Sequence, residues 1–160
     1  MGEGHKRRLV TLWLLASSLA CLNLWLNFFL PTPSWAFHQR SLLWAAGCAA
    51  LLVAMVPLTR LPSIGVTIGA GFLGGGVLGN LISGAADHLA VPNPLLLTAG
   101  DGGIAFNAAD TFILGGNLIL VIALCTLLVK NRERLRGRHA VLQFARPGAR
   151  PPAEPRGPEQ

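Results

Sequence analysis

The sequence predicts an all-α membrane protein with four transmembrane helices and both termini in the cytoplasm. Three observations predict it. Of the 160 residues, 52% are apolar and only 12% are charged, about half the charged share of a soluble domain. Four stretches approach or exceed the roughly 20 mostly apolar residues that a helix needs to cross a bilayer. The basic residues cluster at the ends of those stretches, on one side.

The spans run from about residue 9 to 30, 42 to 58, 64 to 82 and 104 to 129. The connection from Pro31 to Arg40 is short, and Thr59 to Ser63 reads as a tight turn. The longest loop, Ser83 to Gly103, holds Asp87, His88, Pro92, Pro94 and Asp101. Residues 1–130 therefore form one transmembrane domain. Residues 131–160 are rich in Arg, Pro and Gly and lack a sustained apolar face, which predicts a disordered cytoplasmic tail.

Orientation follows from Lys and Arg. With four spans, the N-terminus, the second loop and the tail share a side and carry twelve of the thirteen; Arg40 alone lies opposite. The positive-inside rule places the richer side in the cytoplasm. The net charge of +6 thus reports membrane topology, and nucleic acid is not an expected partner. Lys6-Arg7-Arg8, then apolar residues, then Ala20-Cys21 also resembles a secretory signal. The apolar run continues through Leu26, Phe28 and Phe29, which favours an uncleaved first helix.

Cys21, Cys48 and Cys125 lie inside apolar stretches with no zinc or disulfide spacing. They read as small buried apolar residues, and no metal or cofactor is expected. Gly71, Gly75 and Gly79 recur every four residues, and Ser83 extends the row. Such a row shares one helix face and lets another helix backbone approach closely. No internal repeat is evident, which weakens a transporter built from duplicated halves.

Asp110 is the only acidic residue inside any of the apolar stretches. A carboxyl at membrane depth is costly and is functional or paired by default. It closes the string Ala105-Phe106-Asn107-Ala108-Ala109-Asp110, and upstream stands Gly75-Gly76-Val77-Leu78-Gly79-Asn80. As a structural group, Asp110 is expected to donate a hydrogen bond that ties helices three and four. Asn107, one turn earlier, and Asn80, on helix three, are its supporting polar neighbours.

Gly75-Gly76-x-x-Gly79-Asn80 together with Phe106-Asn107-x-Ala109-Asp110 resembles the lipoprotein signal peptidases, four-helix aspartyl proteases of bacterial membranes. The resemblance spans roughly residues 9 to 129. It implies a multi-pass protein of the bacterial plasma membrane, with membrane lipids and prolipoprotein signal peptides as partners. The family's chemistry uses two carboxyls, one ionised to activate water and one protonated to polarise the scissile carbonyl. Asp110 matches the second of these. At the place of the first, the chain reads Val91-Pro92-Asn93-Pro94, so Asn93, which cannot run acid–base chemistry, stands for the aspartate.

Other charged family positions are neutral here too. Asn23 and Asn27 stand where the family has an Asp and, four residues later, a Lys. Ser83-Gly84 stands where it has Asp-Arg. The family's Asn-x-Gly motif after the first helix is absent. Asp87 and Asp101, on the long loop, are the only acids that could replace the missing one; both read as solvated, as does His38. Three functions follow: a signal peptidase with an atypical site, a non-catalytic relative that binds a lipidated peptide, a lipid or a membrane partner, or an unrelated transporter or assembly subunit with Asp110 as its proton site.

Overall fold

The computed structural model describes residues 2–99 and 102–132. Four α-helices make up most of it: α1 (Glu3–Phe29), α2 (Leu42–Met55), α3 (Ile64–Ala86) and α4 (Ala108–Lys130). All four helical segments are long and apolar enough to cross a membrane, α2 together with the 3-10 turn Val56–Arg60 that continues it. The chain divides into two compact units, residues 1–124 and 125–160. The described part of the second is the end of α4, where Asn131 Nδ2 donates to the Leu127 carbonyl. Most of the predicted tail, residues 133–160, lies outside the described residues.

α3 is the centre of the first unit. Of its most apolar stretch 67% is buried, against 11% for α2 and 6% for α4. Its small residues make that position possible. A Cβ on Gly71 or Gly75 would meet the Leu15 and Leu19 side chains of α1 at 2.7 Å, and one on Gly79 would meet Asn23 at 3.2 Å. The four-residue row on α3 thus lies along Leu15, Leu19 and Asn23, themselves four residues apart on α1. Close backbone approach of this kind supplies the van der Waals contact that holds helices together in lipid.

A second glycine face on α3 meets α4. A Cβ on Gly69 would stand 2.7 Å from the Leu120 amide nitrogen. One on Gly76 would collide with the Ala109 carbonyl oxygen and Ile113. From the α4 side, a Cβ on Gly116 would collide with the backbone of Leu73. Leu12, Leu52, Met55, Ala70, Leu73 and Val77 form the apolar core between the helices. Large side chains such as Leu114, Leu118, Val121 and Ile122 on α4 stand exposed, as suits a lipid-facing surface.

The prediction of an all-α fold needs correction. Two small antiparallel sheets sit beside the C-terminal ends of α1 and α3. Strand β1 (Phe37–Gln39) pairs with β2 (Ala90–Pro92), with His38 opposite Val91. Strand β3 (Leu95–Ala99) pairs with β4 (Gly102–Phe106), with Leu97 opposite Ile104. The fourth span accordingly begins at Ala108 rather than 104, because Ile104 to Phe106 belong to a strand. Other bounds shift by similar or larger amounts. α1 starts at Glu3, and α3 runs on to Ala86. Past Met55, α2 tightens into the 3-10 turn Val56–Arg60, where Pro57 lacks an N–H for the helical ladder.

The opposite end is closed by polar contacts from α1. Arg8 Nε donates to the Thr59 carbonyl at 2.8 Å, and the Thr59 hydroxyl bonds the His5 ring at 3.1 Å. Thr59 is fully buried, so the turn between α2 and α3 is docked on α1.

Two adjacent glycines of α4 give a sharp test of this packing. Gly116→Ala forces a methyl into the α3 backbone and is expected to cost about 1–3 kcal/mol, the usual range for overpacking. Gly115 has no heavy atom within 4 Å of a built Cβ, so Gly115→Ala should be neutral or gain up to about 1 kcal/mol from helix propensity. Thermal unfolding of the two variants in detergent micelles distinguishes them; equal stabilities would contradict the close α3–α4 contact.

Candidate functional site

Four asparagines lie buried at the strand-bearing end of the helices: Asn23, Asn80, Asn93 and Asn107. A buried amide left without partners costs roughly 1–3 kcal/mol per unmet group. Here each amide finds a partner, and the resulting network surrounds Asp110.

The network is organised by the start of α4. Asn107 immediately precedes the helix, and its Oδ1 accepts the Asp110 N–H at 3.0 Å. In return, Asp110 Oδ2 accepts the Asn107 N–H at 3.2 Å. This is a reciprocal capping box, with an Asn–Asp pair in place of the usual Ser/Thr–Glu. A third free N–H of the first turn, on Ala109, donates to Asn23 Oδ1 of α1 at 2.9 Å. A carboxylate in the first helical turn also faces the positive end of the helix dipole.

Backbone groups fix the direction of every bond. The Asp110 N–H can only donate, so the Asn107 atom facing it is oxygen. Asn107 Nδ2 then faces three acceptors, the Pro92 carbonyl at 3.1 Å, Asn80 Oδ1 at 2.8 Å and Asn93 Oδ1 at 2.9 Å, so one of its two hydrogens is shared between two of them. With its oxygen so used, Asn80 turns Nδ2 to Asp110 Oδ1 at 3.0 Å. Likewise Asn93 turns Nδ2 to His38 Nδ1 at 2.9 Å. That ring nitrogen must accept, so neutral His38 carries its proton on Nε2.

The predicted site residues therefore sit as follows. Asn80, Asn93, Asn107 and Asp110 come together, but Asn93 and Asp110 are joined through Asn107 rather than directly. Asp110, half-buried, accepts hydrogen bonds at both oxygens. It is not the donor expected from the sequence, because the free N–H groups of a helix start surround it. Asp87 is exposed at the end of α3 and makes no ion pair among the described residues. Asp101 lies outside the described residues. No group of three or more metal-binding side chains occurs among those described.

His38 is the member that sequence reasoning missed. Its side chain is exposed, as expected, yet one ring nitrogen is tied to the buried chain. Only the β1–β2 pairing brings it there, and no spacing in the sequence announces a contact across 55 positions.

A second polar cluster continues from Asn23. Ser83 Oγ receives Asn27 Nδ2 at 3.1 Å and Asn23 Nδ2 at 3.5 Å. Asn27 Oδ1 is buried without a partner. The network as a whole positions amides and one carboxylate rigidly. Its one carboxylate, Asp110, stands at the centre and its one imidazole, His38, at the rim.

Two measurements test this geometry. Asp110→Asn must point an NH2 at an N–H donor, so it is expected to lose about 1–2 kcal/mol. Exchanging the pair, Asp110→Asn with Asn80→Asp, restores matched donors and acceptors and should recover most of that loss in thermal unfolding. Nitrogen-15 spectra of the neutral imidazole should show His38 Nδ1 bare and Nε2 protonated; the reverse tautomer would contradict the assigned direction.

No protein-family model matches the chain, and no curated protein matches it in sequence. The chemistry of Asp110 and its amide neighbours is therefore the ground for a functional reading.

Proposed function

We propose that this protein is a non-cleaving membrane relative of the lipoprotein signal peptidases, which holds a lipidated peptide at its strand-bearing end without cutting it. In this reading it resides in a bacterial plasma membrane, with the strand-bearing end facing outward. The single observation that carries the proposal is the partnership of Asp110. Both of its oxygens accept N–H groups, and its connection toward the neighbouring strand runs through amides to Asn93. An aspartyl protease needs a second carboxyl that can share and pass a proton. An amide at Asn93 cannot.

Further support comes from the other neutralised positions. Asn23, Asn27 and Ser83, which stand where the resembling family carries charges, are hydrogen-bonded to one another. Uncharged groups there meet through hydrogen bonds to Ser83 rather than ionic pairs. The four buried amides around Asp110 are all partnered, which favours fixed shape over proton transfer.

The test uses purified protein in lipid nanodiscs with a diacylglyceryl-modified signal peptide. Saturable binding without a new peptide terminus, read by mass spectrometry, is the expected result. Cleavage that disappears in Asp110→Asn would instead establish a working peptidase, with Asp87 and Asp101 as candidates for its other acid. Neither binding nor cleavage would reject both readings.

A further inference from the structure

Among the described residues, Arg40 is the only Lys or Arg at the strand-bearing end. Among the described residues, no carboxylate lies within 4 Å of its side chain. Its Nε is buried and makes no hydrogen bond. The guanidinium lies over the Trp44 ring, 5.5 Å from its centroid. Its backbone N–H donates to the Leu89 carbonyl at 2.8 Å, which anchors its base to the β1–β2 sheet.

The surroundings say what class of anion fits. Leu42 and Leu43, just past Arg40, are 79% and 83% exposed. Two leucines this open at the start of a span belong against acyl chains. Below them Ala46, Gly47, Ala49 and Ala50 are exposed, and nothing lies within 4 Å of a Cβ built on Gly47. This leaves a shallow apolar strip along α2. A guanidinium presents a planar set of donors that matches phosphate oxygens two at a time. Tryptophan favours the headgroup level, where its apolar ring and polar N–H are both served. The N-terminus of α2, capped by Ser41, adds the positive end of its dipole on the same side.

We propose that Arg40 and Trp44 form a docking site for one membrane phospholipid. The headgroup phosphate accepts from the outer guanidinium nitrogens, and an acyl chain lies along the small-residue strip of α2. The site is independent of the Asp110 network and holds whether or not the protein binds a peptide.

Native mass spectrometry of delipidated protein in detergent micelles tests it. Titration with phosphatidylglycerol should show one retained lipid. Diacylglycerol of the same chain length, which lacks the phosphate, should bind at least about tenfold more weakly, as loss of a hydrogen bond to a charged group implies. Arg40→Gln should weaken phosphatidylglycerol by a similar factor, and Arg40→Lys by less. Inorganic phosphate at the same concentration should not displace the lipid. Equal retention of phosphatidylglycerol and diacylglycerol, or by a folded Arg40→Gln variant, would overturn the proposal. Displacement by inorganic phosphate would overturn its lipid part. Should Arg40→Gln fail to fold, the comparison of the two lipids on the unaltered protein still decides.

Discussion

The reciprocal bond between Asn107 and Asp110 is the interaction on which the rest of the strand-bearing end depends. It sets where α4 begins, because it satisfies N–H groups that no helical carbonyl can reach. It also fixes the orientation of the Asn107 amide. From that single orientation follow the donor held toward Pro92 and Asn93, the acceptor demanded of Asn80, and the tautomer of His38. α1 joins the same helix start through Asn23. Elements far apart in sequence are thus locked by a few hydrogen bonds whose polarity leaves no free choice.

The same arrangement limits the chemistry. A carboxyl in an apolar setting is functional by default, and Asp110 attracts that interpretation from its sequence context alone. In the folded protein its oxygens are occupied by donors, and the groups that link it to the neighbouring strand are amides. Amides transmit position well and protons poorly. Rigidity without proton exchange is a property of a binding site, and this is the physical content of the proposed non-cleaving role.

The packing of α3 shows how far periodicity reaches. The row Gly71, Gly75, Gly79 and Ser83 is readable because its spacing equals a helical turn, and it lies against α1. The α4 contact uses Gly69 and Gly76, seven residues apart, together with Gly116 on the other helix. Spread over two helices, these glycines do not make a row. They become a face only when the helices are side by side. Similarly, the strands between α3 and α4 carry too little alternation to stand out from an apolar run. Leu95–Leu97 and Ile104–Phe106 become strands because they pair with each other.

By itself, the sequence determined the four apolar helices, the central glycine-rich segment and the presence of one acid, Asp110, among asparagines. These are local properties, written in composition and in the helical period. Only the tertiary structure decided that Asp110 accepts rather than donates, that Asn107 stands between it and Asn93, and that His38 closes the chain. A hydrogen bond's direction depends on which group faces which. That is settled by backbone N–H and C=O groups brought together from α1, β2, α3 and α4, and no single stretch of sequence contains them.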